Sequence, residues 1–429
     1  MKKTLLLIIT VILALLLILV GCNSESTDDG KNENNDVTTK PSSPDVTTES
    51  NVLGVTTVPN DSVEKPDDNK PNGPSEGLEF KSNENGTCAV IGIGLCADTY
   101  LVVPEKSPEG EIVIRIESNA FDSCTNLTSV TIPDSVRSIG NVAFANCSNL
   151  TSVFIGSGVQ TIGTQSFENC TSLTNVNFSQ GMLSIIGYGA FKNCCKLTTI
   201  TIPDGTEVKK SAFANCLNLV SVTFGNEVKL PSSSIFAGCI KLAEIINLSS
   251  SEVPFYENVL EIHSEDSKIV NKDGYLFYTY DGVNYLLNYI GDETILNLPE
   301  NYNGENYVIR SYAFYCHDNL TSVTIPNSVT TIDDHAFYGC ERLISVIISE
   351  GVTHIGYNAF KLCKKLADIS IPKSIITIGS LALNGCNLIN INYNGTKHEW
   401  EIISKGYGWD PYAPSCVIHC TDGDIPLTN

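Results

Sequence analysis

The chain has 429 residues, 17% of them charged, and 26 basic against 48 acidic side chains leave a formal net charge of −22. Such an acidic chain repels phosphate, which excludes sequence-independent nucleic-acid binding. Hydrophobic residues make up 42%, enough for a sizeable core, while sixteen cysteines are many for a cytosolic protein and few for a disulfide scaffold of this length.

Lys2 and Lys3 precede an apolar run from Leu5 to Val20, broken by Thr10 and followed by Gly21 and Cys22. A charged start, a short apolar stretch and small residues at the end describe a secretory signal over residues 1–22. The run is shorter than the ~20 residues needed to cross a bilayer. Its ending resembles a bacterial lipoprotein lipobox. That resemblance implies diacylglycerol on the Cys22 thiol and cleavage that leaves Cys22 as the new N-terminus. Each buried methylene adds about 0.8 kcal/mol, so several acyl chains anchor a protein firmly to a membrane.

Residues 23–78 hold twelve acidic residues, four lysines and six prolines, and no Phe, Tyr or Trp. Val-Thr-Thr recurs at 37–39, 46–48 and 55–57. This segment lacks the apolar surface to offset its ordering entropy, so it reads as a disordered acidic linker.

A repeat follows: Asn119-Ala-Phe121-x-x-Cys124-x-x-Leu127-x-x-Val130-x-Ile132-Pro133. Phenylalanines fall at 121, 144, 167, 191, 213 and 236, and again at 314, 337 and 360, with Leu383 in the next place. Cysteines follow at 124, 147, 170, 194, 216 and 239, then at 340, 363 and 386. A fixed period of 20–29 residues is the mark of a solenoid. Leu-x-x-Val-x-Ile predicts a short strand, which Pro133 ends because proline cannot continue a ladder. No unit has enough apolar residues to fold alone, so stacked units must share their Leu, Val, Ile, Phe and Cys columns.

The stretches AFANCSNLTSVFI and IPNSVTTIDDHAFYGC resemble the BspA-type leucine-rich repeats of bacterial surface proteins. The resemblance implies an α/β-type repeat solenoid, mostly β. It would be a right-handed leucine-rich-repeat solenoid with a parallel sheet, a few short helical turns, a β-rich insertion and end caps. It also implies a place at the bacterial surface, which together with the lipobox gives a lipid-anchored position on the outer face of the cell membrane. The implied role is adhesion through a protein ligand on a host or bacterial surface, with no nucleic-acid partner, as a monomer. A glycan- or nutrient-capture lipoprotein and a passive structural spacer are the alternatives.

The interval from Phe236 to Phe314 breaks the period. Residues 98–121 and 293–314 share a Thr-x-Leu-x-x-Pro, Ile-Arg, Ala-Phe order, so residues 252–312 read as a second copy of a starter module. The predicted organisation is a signal at 1–22, a linker at 23–78, a β starter at 79–117 and a first repeat block at 118–248. A β-rich insertion at 249–312, a second block at 313–392 and a C-terminal cap at 393–429 follow. The cap holds Trp400 and Trp409, the only tryptophans.

Strand alternation points Ser129, Thr131, Ser152, Phe154, Asn175, Asn177, Thr199, Thr201, Ser221 and Thr223 outward, together with Ser322/Thr324, Ser345/Ile347, Asp368/Ser370 and Asn390/Asn392. They form a candidate binding face. Tyrosines crowd the insertion, and Asp281-Gly282 marks a hairpin there. Tyr278, Tyr280 and Tyr285 are therefore either an aromatic contact surface or cross-strand packing. Register cysteines read as buried small apolar residues. Cys88 and Cys96 are the best disulfide candidates. Cys416 and Cys420 lie about 13 Å apart on a strand, too far for one zinc. No phosphate loop, metalloprotease or nucleophile-elbow motif occurs, which argues for a non-enzyme without metal or cofactor. His317 and His335 occupy variable repeat positions and are expected on the surface. Asp333 and Asp334 are expected in a solvated turn.

Overall fold

Within one repeat the sequence dictates an alternating strand. In Ser129–Ile132 the branched Val130 and Ile132 are buried and Ser129 and Thr131 are half-buried. Beyond Pro133 the chain turns, Val136 plugs the core, and the two-residue strand Ser138–Ile139 runs along the other side. Gly140 follows because a Cβ there would lie 2.4 Å from the Ser118 nitrogen. Gly163 repeats the constraint, its added Cβ falling 2.6 Å from the Gly140 carbonyl carbon. Ala143 and Phe144 then turn back into the core. The computed structural model describes residues 73–230, 233–249, 252–254, 256, 258–411 and 415–427. The leader at 1–22, with Cys22, and nearly all of the linker at 23–78 lie outside the described residues.

Rungs stack in register, with Ser129 opposite Ser152 and Val130 opposite Val153 in parallel ladders. The phenylalanine column from Phe121 to Phe236 has neighbouring ring centroids 4.8–5.6 Å apart. Phe314, Phe337 and Phe360 repeat it at 4.7 and 5.0 Å. Beside the rings, the register thiols are buried and act as donors. Cys147 Sγ donates to the Phe121 carbonyl at 3.2 Å, and Cys170, Cys194, Cys216 and Cys239 each donate likewise to the phenylalanine of the preceding rung. Cys340, Cys363 and Cys386 continue the pattern. A cysteine thus fills a small apolar slot and adds a second, weak donor to a carbonyl such as that of Phe121, which already accepts the Cys124 N–H at 3.2 Å.

The first solenoid has a seven-stranded sheet running from Glu79–Ser82 to Glu207–Val208. Its other sheet comes in two four-stranded parts, Tyr100–Val102 to Asn175–Phe178 and Thr199–Ile202 to Glu261–His263. The interruption falls in the 24-residue unit between Phe167 and Phe191. The second solenoid has an eight-stranded sheet from Val270–Lys272 to Ser404–Lys405 and a seven-stranded one from Ile295–Asn297 to Gly423–Pro426. Among the described residues, no strand pairing joins the first set to the second. Both solenoids open on antiparallel strands: Glu79–Ser82 against Thr87–Gly92, and Val270–Lys272, Tyr275–Tyr280 and Val283–Tyr289 in succession. Asp281 and Gly282, with φ of 49° and 74°, form the tight turn of the second hairpin.

Two large apolar cores result, one for each solenoid, with a small third cluster between them. At the C-terminal end the helix Lys397–Ile402 starts on a capping box of Thr396 and Glu399. It lays Trp400 against Tyr393 and Trp409. The antiparallel pair Val417–Cys420 and Gly423–Pro426 occupies the sheet edge.

Candidate interaction surface

The outward positions of the first sheet form a row of short polar side chains. Asn175, Asn177, Thr199 and Thr201 are exposed, and Ser129, Thr131 and Ser152 are half-buried. Ser152 Oγ donates to Ser129 Oγ at 3.0 Å, one rung across. Phe154, 44% exposed, is the single aromatic ring projecting from these strands. Just before each strand, Thr128, Thr151 and Thr174 form a second row. Each hydroxyl donates to the preceding threonine's carbonyl, Thr151 Oγ1 to Thr128 at 2.8 Å and Thr174 Oγ1 to Thr151 at 3.1 Å. Branched polar residues that bond to the rung below suit a solvated, tightly stacked edge.

The face does not stay open along its whole length. Ser221, expected outward and accessible, is buried, and Thr223 is half-buried. The cause is the insertion, which folds over the last rungs. Glu244, opposite Ser221 in the ladder, is fully buried and takes Ser221 Oγ at 2.8 Å and Ser267 Oγ at 2.7 Å on one oxygen. Its other oxygen accepts from the Lys268 backbone N–H at 2.7 Å and lies 3.0 Å from His263 Nε2. A buried carboxylate is tolerated only when its lone pairs are filled in this way.

The insertion tyrosines separate accordingly. Tyr278 is fully buried, and its hydroxyl donates to Glu261 Oε2 at 2.6 Å. Burial first, then the Glu261 bond, push the Tyr278 phenol far up. The Tyr278 and Lys268 bonds hold the Glu261 carboxyl below its usual range. Tyr278 is therefore removed from the candidate contact surface, because it packs with Leu276 and Leu287 on Val220 and Ala243. Tyr285 is half-buried beside that cluster. Tyr280, at 39% exposure, is the one of the three that projects from the hairpin.

Lys241 and Arg310 bond across this junction, and Asp333 lies beside Arg310. Lys241 is almost fully buried and donates to Asn218 Oδ1 and Asn288 Oδ1, both at 2.7 Å, so one amine bonds to both solenoids. Burial pulls its pKa down to about 7. Arg310 donates to the Asn258 carbonyl, and burial lowers its pKa to about 10. Asp333, expected in solvent, has its carboxyl raised to about 6 by burial and then by Asp334. His317, expected on the surface, lies 5.9 Å from the Tyr289 ring, and burial holds its pKa down. The hint for Lys241 was its rung: the place before it holds Ile240, and the chain spends a lysine where neighbouring units carry serine, asparagine or lysine at the surface.

Cys88 and Cys96 are free thiols and not a disulfide. Cys88 is buried under the strand Thr87–Gly92, its Sγ 3.7 Å from the Glu111 carbonyl, whereas Cys96 sits in the turn that follows. Burial raises both thiols above their ordinary pKa.

These rungs, ladders and columns define a mostly β leucine-rich-repeat solenoid built in two stretches. The profile of the BspA type leucine rich repeat region matches residues 108–216, 184–269 and 294–401, in six copies. The matches cover more than half of the sequence, and the chain belongs to that family. No curated protein matches it. Among solved structures it is similar to the leucine rich repeat protein TpLRR of T. pallidum, at 27% identity over 42% of this chain and 83% of that one, with a TM-score of 0.37. A leucine rich cell surface protein of Faecalibacterium prausnitzii is 24% identical over 77% of this chain and 96% of that one, TM-score 0.34. The pneumococcal vaccine antigen PcpA is 18% identical over 81% and 93%, TM-score 0.33.

Proposed function

We propose that this chain is a lipid-anchored cell-surface protein, held through Cys22, whose solenoid acts in protein–protein interaction and adhesion. The observation that carries the reading is the open row of short polar residues from Ser129 to Thr201 with Phe154 at its centre. A stacked sheet repeats its outward side chains at about 4.8 Å, which gives a partner a long, regular set of hydrogen-bonding groups. Tyr280 on the hairpin extends this surface. The reading is non-enzymatic, with residues 23–78 as the tether.

The test is a binding screen of residues 73–429 against host and bacterial surface proteins and against glycans. Protein capture weakened by Phe154→Ala and Asn177→Ala supports adhesion. Capture of glycans alone overturns it in favour of nutrient or glycan capture, and capture of neither favours a spacer. Lipid attachment is tested by labelling cells with a radioactive fatty acid, with label expected on the native chain and absent from Cys22→Ala.

A further inference from the structure

The row that precedes each strand is threonine over most of its length and turns aliphatic in two places. In the first solenoid, backbone bonds align Thr198, Val220, Ala243 and Leu260: Val220 N donates to Thr198 O, Ala243 N to Val220 O and Leu260 N to Ala243 O. In the second they align Thr294, Thr321, Ile344, Ala367 and Ile389 in the same way. Thr321 still makes the hydroxyl bond to the rung below, to Thr294 O at 2.9 Å. The three aliphatic residues that follow in each row cannot.

The next residue of each rung is matched as well. Val220-Ser221, Ala243-Glu244 and Leu260-Glu261 in the first solenoid correspond to Ile344-Ser345, Ala367-Asp368 and Ile389-Asn390 in the second. Both rows thus run aliphatic-Ser, Ala-acid, aliphatic-acid or amide. In the first solenoid the reason for the change is visible. The hairpin Tyr275–Tyr280 and Val283–Tyr289 presses Leu276, Tyr278 and Leu287 onto Val220 and Ala243, which are fully buried. The segment leading into it supplies the donors that Glu244 accepts.

In the second solenoid the same row is bare. Ile344 is 48% and Ile389 54% exposed, with Ile347 49% exposed on the adjoining outward position. Asp368, on the Ala367 rung, accepts Asn390 Nδ2 at 2.6 Å. We infer that the Ile344–Ala367–Ile389 row is a docking site for an apolar β-hairpin of a partner protein. That hairpin would bring leucine or tyrosine side chains onto the isoleucines and a hydroxyl or backbone N–H to Asp368. This occupant follows from the chain's own precedent, in which an equivalent row is covered by such an element. Isolated exposed apolar residues are ordinary, but two flanking one small residue, in a row that elsewhere is threonine or lies under the hairpin, are not. The inference rests on the protein-interaction reading above and specifies one surface for it.

The test uses the chain's own cover as the probe: a synthetic peptide of residues 264–290, its hairpin closed by Thr279→Cys and Asn284→Cys, the cross-strand pair beside the turn. It is titrated into residues 73–429, in which the first row is already occupied. Saturable binding is expected, weakened at least tenfold by the double substitution Ile344→Thr and Ile389→Thr. Those changes restore the residue that the fold carries at 151, 174 and 321, so the variant keeps the wild-type thermal midpoint. A peptide with Leu276→Ser and Leu287→Ser is expected not to bind. Absence of binding at millimolar peptide, or equal binding to both proteins, overturns the inference. Running the double variant beside the wild type in the partner screen separates the two readings. Equal capture of a protein by both overturns this site and leaves adhesion standing, whereas capture of no protein by either overturns adhesion itself.

Discussion

Raising the pH from 8 to 10 should remove a large part of this protein's stability. Cys147, Cys170, Cys194, Cys216 and Cys363 are buried in the stacked core, and burial holds each thiol above its ordinary value of 9.0, Cys147 up to about 12. The folded state therefore keeps protons that the unfolded chain releases. A group of this kind contributes stability that is complete below pH 9 and is lost as pH rises. At pH 10 an unfolded thiol is about ten-elevenths ionised, which favours unfolding by about 1.4 kcal/mol for each thiol that stays protonated in the fold. Five such thiols give about 7 kcal/mol as an upper figure. Lys241 acts the other way. Its pKa is lowered to about 7 from 10.5, so stability rises with pH across that window, by about 2–3 kcal/mol between pH 8 and 10. The net expected loss is about 4 kcal/mol, a substantial fraction of the ~5–15 kcal/mol typical of a domain. Urea unfolding at pH 8, 9 and 10 with a reductant present measures it. Cys170→Ala, which removes one thiol, should reduce the loss by about 1.4 kcal/mol. A stability that changes by less than about 1 kcal/mol over this range would refute the reasoning, because it would mean the thiols are not held protonated by the stack.

Lys241→Met should remove the lysine's share of the pH dependence between pH 7 and 8, where the buried amine adds about 1 kcal/mol per pH unit before the thiols offset it, as read in the same urea titrations. Gly163→Ala places a Cβ 2.6 Å from the backbone of the rung below and should lower the thermal midpoint sharply, whereas Gly282→Ala meets no atom and should cost only the strain of its positive φ. Glu244→Ala leaves Ser221, Ser267 and the Lys268 N–H without an acceptor in a buried site. It should destabilise by about 2–4 kcal/mol and speed amide exchange in residues 263–269, as read by mass spectrometry.

Much of the architecture could be read from the chain before any coordinates. Each repeat carries its own punctuation: Pro133 ends a strand, and Phe144 with Cys147 fills fixed columns, whereas the close approach that demands glycine at 140 shows only in the stacked rungs. Ile309-Arg310 and Ala313-Phe314 echo Ile114-Arg115 and Ala120-Phe121, which is why residues 252–312 read as a second starter module. What stayed hidden is what happens where one stretch folds over another. Ser221 holds the same repeat position as Ser152, yet it is buried because a segment that follows in the chain folds over its rung. Tyr278 and Tyr280 are two residues apart on one strand and meet opposite fates, since only the former faces the cover's target. Asp333 read as a solvated turn residue but is half-buried beside Arg310, and Lys241 is buried by bonds that reach both solenoids. The thiol-to-carbonyl bonds were also out of reach, because periodicity marks a column as small and apolar and says nothing of a donor.

The account depends on rungs that cannot hold their structure without the columns they share. Phe167→Ala empties one position in the middle of the first phenylalanine column, between Phe144 and Phe191, at an expected cost of about 3–5 kcal/mol. Native-state hydrogen exchange resolved along the chain reads the consequence. Protection should fall together over the rungs on both sides, from Ser129–Ile132 to Ser221–Phe224, while Ser322–Ile325 to Asn390–Tyr393 in the second core keep theirs. Loss of protection confined to the Phe167 rung, with its neighbours unchanged, would contradict a fold built on shared columns.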